Sequence, residues 1–275
     1  MEKQTNRMMT FEVCITEHCN LNCVGCSHFA PLAEPYFMDL EVFRNDMARL
    51  SALLGDRVEW IHIMGGEPLL HPQCADFLAV SREYFPTTRI DLITNALLLP
   101  YQTDEFWKTC RDRRISLKPT RYPVTVDLRK VKETAEGWGV AFRIFNHEDD
   151  GGEKKMIKYV LDPVGRQIPS DSFSWCDQGN RCMTLKEGKM YSCPTIPFSA
   201  HFSRYFHIEL TVCERDYADI YKIDSAEQLL EAMANAPDFC RFCDHRSNSY
   251  GLQWHISKRQ IGEWTKMQDD APEGD

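Results

Sequence analysis

The chain has 275 residues, 43% hydrophobic and 27% charged, with 32 Lys and Arg against 41 Asp and Glu for a formal charge of −9. No apolar run reaches the roughly 18–20 residues of a bilayer-spanning helix, and the start MEKQTNRMMTFEV lacks the apolar stretch of a signal peptide, so membrane and secreted readings are set aside and a cytoplasmic protein is expected. An acidic chain without a Lys/Arg block is repelled by phosphate backbones, which sets nucleic acid aside as the main partner.

In chain order, Phe11, Val13 and Ile15 alternate with other residues as in a strand, and Val58 to Met64, Arg89 to Thr94, Ile115 to Lys118 and Val140 to Phe145 read as four more. Between them lie amphipathic stretches. Phe43, Met47, Leu50 and Leu54 follow Asp39, a suitable N-cap. Pro72 opens a second helix that Pro86 closes, and further helices are expected over Asp104 to Arg111 and Asp127 to Glu136. Such alternation predicts an α/β fold around a parallel sheet, open or curled into a partial barrel.

Beyond about residue 161 the texture changes. LDPVGRQIPSDSFSW reads as a connection, followed by a hairpin with strands Met183 to Leu185 and Lys189 to Tyr191 turning at Glu187 and Gly188. A helix begins at Ser225, with Gln228 completing a capping box. The expected organisation is an N-terminal tail (1–9), a core (10–165), a smaller unit (166–245), and a C-terminal segment ending in the polar tail KMQDDAPEGD (246–275).

Twelve cysteines in a chain without an export signal point to metal or redox chemistry rather than disulfides. Cys14, Cys74 and Cys110 stand singly in apolar segments and read as small buried hydrophobes. Cys19, Cys23 and Cys26 form Cys-x3-Cys-x2-Cys directly after the first strand. Three thiolates on a short loop can hold three irons of a [4Fe-4S] cluster and leave the fourth open to a chelating small molecule. A zinc site completed by His18 or His28 is the alternative.

Met64-Gly65-Gly66-Glu67-Pro68 lies at the C-terminal end of the second strand, the rim where parallel α/β folds bind ligands, and Thr94-Asn95 ends the third. The two glycines would let backbone approach a ligand, and Glu67 offers a carboxylate to an ammonium group.

With these motifs the sequence resembles the radical S-adenosylmethionine (SAM) superfamily, over about Thr10 to Tyr159. The resemblance implies a partial (β/α)6 barrel. It also implies a SAM-binding [4Fe-4S] cluster on Cys19, Cys23 and Cys26, with the amine of SAM held by Gly65, Gly66 and Glu67 and further contacts from Asn95 and Lys118. Cleavage of SAM would release a 5′-deoxyadenosyl radical that abstracts a substrate hydrogen. Gly25 departs from the family, which has an aromatic residue before the last cysteine.

Cys176, Gly188, Cys193, Cys240 and Cys243 resemble a twitch domain, the short form of the SPASM extension and a small α+β unit. They imply an auxiliary [4Fe-4S] cluster on the four cysteines, with Cys182 competing for the place of Cys176 and a zinc ribbon as the alternative. The architecture is similar to small radical SAM dehydrogenases of the 2-deoxy-scyllo-inosamine dehydrogenase type. Only about ten residues precede the first strand, too few for the peptide-recognition domain common in peptide-modifying relatives, so a small carbohydrate, aminocyclitol or polyol is the expected substrate. A peptide maturase with a separate recognition protein is a further alternative. A flavodoxin or ferredoxin-type protein is the expected electron donor.

Later strand ends should supply substrate contacts, with Lys118, Arg121, Tyr122, His147, Glu148 and Asp149 as candidates, Lys118 also suited to the SAM carboxylate. Dehydrogenation is the leading reaction. Epimerisation, with Cys182 or Cys213 as hydrogen donor, and a non-catalytic zinc-binding protein are the alternatives.

Overall fold

The structure, a computed structural model, describes residues 9–145, 154–179 and 182–266. Five parallel strands, β1 (Met9–Thr16), β2 (Val58–Gly65), β3 (Arg89–Thr94), β4 (Ile115–Pro119) and β5 (Ala141–Phe142), lie in the order β5-β4-β3-β2-β1. Helices α1 (Leu40–Leu54), α2 (Cys74–Tyr84), α3 (Asp104–Asp112) and α4 (Leu128–Gly137) connect them. The expected α/β partial barrel is present.

Local chemistry explains the connections. Asp39 caps α1, its carboxylate accepting from the Glu41 and Val42 amides at 2.9 and 3.0 Å, and Asp127 caps α4 by accepting from the Lys130 amide at 3.0 Å. Pro72 stands just ahead of α2 rather than in its first turn. The guanidinium of Arg82, near the end of α2, donates to the carbonyls of Phe85, Pro86, Thr88, Arg113 and Arg114 at 2.7–3.1 Å. One side chain thereby satisfies turn carbonyls that no ladder reaches.

Strand β1 is buried on both faces. Phe11, Val13 and Ile15 face the helices and join the main core with Phe43, Met47 and Phe77. Glu12, Cys14 and Thr16, on the opposite face, point inward. In register across the sheet Thr184, Glu12, His62, Asp91 and Ser116 form one polar row. A register shift between Cys14 and Thr16 ends the regular β1–β2 ladder just before the cysteine loop.

The hairpin of the second part, β7 (Met183–Lys186) and β8 (Lys189–Tyr191), sits where the sequence puts it, with Glu187 and Gly188 at positive φ. Its position is new information. Strand β7 runs parallel to β1 and extends the barrel sheet, followed by β8 and β9 (Tyr217–Asp219).

The segment read as a connection contains helix α5 (Pro169–Trp175), and α6 (Thr195–Phe206) precedes α7 (Ala226–Ala234), whose cap Ser225 accepts from the Gln228 amide as expected. Strands β6 (Met156–Lys158) and β10 (Ser249–Leu252) form a separate antiparallel pair. Trp264, 2% exposed, shares a second apolar cluster with Phe29, Phe198, Phe202, Phe239 and Phe242. Chain beyond residue 246 is therefore packed structure at least to Thr265.

Candidate active site

The loop after β1 carries Cys19, Cys23 and Cys26 into a cavity of about 440 Å³ at the C-terminal ends of the parallel strands. Gly65, Gly66, Thr94, Asn95, Thr120 and Tyr122 contribute to its walls, each at or just beyond a strand end. Distant chain holds the loop in place. The Val24 amide donates to the His255 carbonyl at 3.0 Å, the Ser257 amide to the Asn22 carbonyl at 2.8 Å, and the Trp264 indole to the Cys26 carbonyl at 3.0 Å. Gly25 has φ +60° with the Glu263 carbonyl 3.6 Å from where a Cβ would sit, so an aromatic residue there would be strained.

Burial and mutual repulsion push the Cys19 and Cys23 thiols up to about 11 and about 12. Burial acts on Cys26 too, but His28 and backbone amides favour its thiolate and lower it. Two of the residues read as SAM contacts do something more specific than expected. A Cβ on Gly66 would lie 2.1 Å from the His18 carbonyl oxygen, and one on Gly65 2.4 Å from that of Thr16. These glycines let β2 approach the root of the cysteine loop, where the Gly66 and Glu67 amides donate to Thr16 and His18 at 3.0 and 3.1 Å.

Glu67 is 1% exposed and does not line the cavity. Its carboxylate accepts from the Thr94 hydroxyl at 2.6 Å and the Leu69 and Asn95 amides at 3.1 and 2.8 Å, tying β2 to β3, and burial raises it to about 7. Asn95 lines the cavity, and its side-chain amide donates to Asn20 at 2.7 Å. Lys118 is turned away from the cavity: its ammonium lies 2.8 Å from Asp91 and 4.5 Å over the Trp60 ring, inside the barrel. His18 accepts from the Tyr36 amide and packs edge-on against Phe37, so it is committed outside the three thiols. Tyr122 lines the cavity while Arg121 does not; His147, Glu148 and Asp149 lie outside the described residues.

A second, smaller cavity is lined by Cys176, Cys193, Cys240 and Cys243 together with Tyr159, Phe173, Gln178 and His245. Burial, then repulsion by Cys176, pushes Cys193 up to about 12, and burial with the neighbouring thiols also raises Cys240 and Cys243. Cys182 stands apart from this group. It lines the first cavity, with its sulfur 3.8 Å from Glu12 and 3.9 Å from His62. Cys213 lines neither cavity and lies beside Asp238 at 3.8 Å.

Residues 13–127 match the family described as Radical SAM superfamily. They form a radical SAM domain. A GTP 3',8-cyclase of Sulfurovum sp. (strain NBC37-1) is 33% identical over 112 residues, 39% of this chain and 34% of that protein. The GTP 3',8-cyclase of Campylobacter lari is 26% identical over 156 residues, 57% of this chain and 42% of that protein. The chain thus spans about a third to two fifths of the length of these curated relatives. The crystal structure of BtrN in complex with AdoMet and 2-DOIA superposes with a TM-score of 0.52 at 20% identity, covering 90% of this chain and 96% of that one, a likeness of fold.

A radical SAM domain implies a [4Fe-4S] cluster and SAM, and the donors fit both. Three soft thiol donors line one cavity, and the Gly65 and Gly66 backbone lines it too. Several polar residues of the radical SAM domain's cavity carry no motif and escaped the sequence reading: Glu12, His28 as more than a zinc alternative, and His62, joined by Asp177 and Tyr159 from outside the domain. The available signal was a charged residue inside an apolar strand, Glu12, two positions before a cysteine.

Proposed function

We propose that the chain is a radical SAM enzyme that dehydrogenates a small hydroxylated substrate, with Cys19, Cys23 and Cys26 holding the SAM-binding cluster and Cys176, Cys193, Cys240 and Cys243 an auxiliary [4Fe-4S] cluster. The observation that carries the reading is a shared wall: Tyr159 and Gln178 line both cavities, so the cavity lined by one thiol group adjoins the cavity lined by the other. When bound, SAM and its cluster supply a hydrogen-abstracting radical and the auxiliary cluster an acceptor for the second electron. The chain's own part is to hold the substrate among Glu12, His28, His62, Thr120, Tyr122 and Asp177, with Glu12 and Asp177 as carboxylates suited to hydroxyl protons.

The relatives' name suggests GTP, but the lining argues against it. Among the described lining residues Lys154 is the sole Lys or Arg, set against Glu12 and Asp177, a poor match for a triphosphate. Epimerisation is the second reading, favoured by Cys182 within the cavity; Cys213 lies outside that cavity, beside Asp238.

Turnover of a candidate polyol in heavy water tests the proposal. Dehydrogenation gives a product lighter by two hydrogens with one SAM consumed per turnover. A product of unchanged skeleton carrying one deuterium, lost in Cys182→Ala, would replace dehydrogenation by epimerisation. Iron analysis tests the ligand sets: Cys176→Ala should lose the auxiliary iron, about four atoms per chain, and Cys182→Ala should keep it.

A further inference from the structure

Glu12 and Cys14 are alternate residues of β1 and project from the same face of the strand. His28, at the end of the cysteine loop, reaches back to meet them, its Nε2 2.9 Å from Glu12 Oε1. One ligand atom from each of the three residues lies within 4.8 Å of the others, in the barrel interior. Glu12 and Cys14 are 6% and 4% exposed. The carboxylate is already oriented from behind, because the Thr184 hydroxyl donates to Glu12 at 3.0 Å. Neither set of cluster cysteines includes any of the three.

We propose that Glu12, Cys14 and His28 form a mononuclear site for a divalent transition-metal ion of the zinc type. The donors are one thiol, one imidazole and one carboxylate, the mixed soft and borderline set that such ions take. Three protein ligands leave a fourth position open, the arrangement of catalytic rather than structural zinc sites. Glu12 and His28 line the 440 Å³ cavity, and that position faces it beside Cys182 and His62. Binding displaces the thiol proton of Cys14 and the Nε2 contact between His28 and Glu12, with released protons passing to solvent. Thr184 is then an outer hydrogen-bond partner of the kind that fixes metal ligands. That the open position takes a substrate hydroxyl oxygen rests on the proposed function, with Glu12 then a ligand and Asp177 the carboxylate left for the hydroxyl proton; the existence of the metal site does not.

Metal content decides it. The full chain, reconstituted anaerobically with iron and sulfide, is equilibrated with chelator-buffered zinc, dialysed, and analysed for zinc and iron together by plasma mass spectrometry. Wild type should gain one zinc per chain at unchanged iron. Glu12→Gln, which keeps the side-chain shape, and Cys14→Ala should each weaken zinc binding by more than about tenfold, while Cys110→Ala, at a buried thiol in the outer core, should bind as wild type. If Cys14→Ala does not fold, Glu12→Gln decides alone. No zinc in wild type, zinc gained only as iron is lost, or undiminished affinity in Glu12→Gln overturns the assignment. Iron is counted in the same samples, so failure of the cluster reading would register separately.

Discussion

Gly66→Ala probes the junction between β2 and the cysteine loop. The new methyl would lie 2.1 Å from the His18 carbonyl oxygen, 2.3 Å from its carbon and 2.8 Å from the Glu17 carbonyl oxygen. All three are backbone atoms, so no side-chain rotation relieves the contact. Overpacking in a fitted interior costs about 1–3 kcal/mol, and an obstacle made of backbone puts this site at about 3 kcal/mol or above. That is a large share of the roughly 5–15 kcal/mol by which a folded domain is stable. Relief requires lengthening the Gly66–Thr16 and Glu67–His18 hydrogen bonds, 3.0 and 3.1 Å long, and displacing His18, the neighbour of Cys19. The expectation is a lower urea midpoint together with less bound iron. Gly137→Ala, at the end of α4 with nothing within 4 Å of the added methyl, should leave iron unchanged and stabilise by up to about 1 kcal/mol. A Gly66→Ala protein with wild-type midpoint and full iron would refute the close-approach argument.

Arg82→Met leaves five carbonyls without their donor and should cost about 3 kcal/mol or more in urea unfolding; a loss below about 1 kcal/mol would mean that water satisfies those turns. Glu67 makes a pH-dependent contribution. Its folded pKa, about 7, lies above the ordinary 4.5, so the folded chain retains a proton that the unfolded chain has released between those values. This contribution is complete below about pH 4.5 and is lost as pH rises towards 7, and the difference in urea midpoint between Glu67→Gln and wild type should therefore shift in favour of the variant from pH 5 to 7.5. A pH-independent difference would refute the burial argument.

The first four strands and four helices were legible because each pairs a local period with a local signal, as with Asp39 before α1 or Pro86 after α2. The place of the three-cysteine loop directly after β1 was legible, while its spacing left zinc open beside iron. Strand β5 shrank to two residues because only Ala141 and Phe142 find partners on β4. What the sequence hid depends on pairing between remote segments. Nothing in Met183 to Lys186 says that its partner is β1, or that Cys182, two residues before Thr184, thereby enters the barrel. Lys118 ends a strand as expected, yet Asp91 and Trp60 draw its ammonium inward, an outcome of three strands in register. That Glu67 ties β2 to β3 was not legible, because the tie needs the Thr94 and Asn95 donors that the fold brings beside it.

The strap formed by residues 255–264 has a consequence for biogenesis. Its tryptophan and the carbonyl it anchors, Trp264 and Cys26, are 238 positions apart. At translation rates of about 5–20 residues per second, roughly 10–50 s separate the emergence of the cysteine loop from that of the chain that closes over it. Throughout that interval the hydrogen bonds from residues 255–264 to the loop are absent. For the cluster proposed on Cys19, Cys23 and Cys26, iron and sulfide supplied before the strap is made would meet a loop without that closure, and supplied afterwards would meet one that has it.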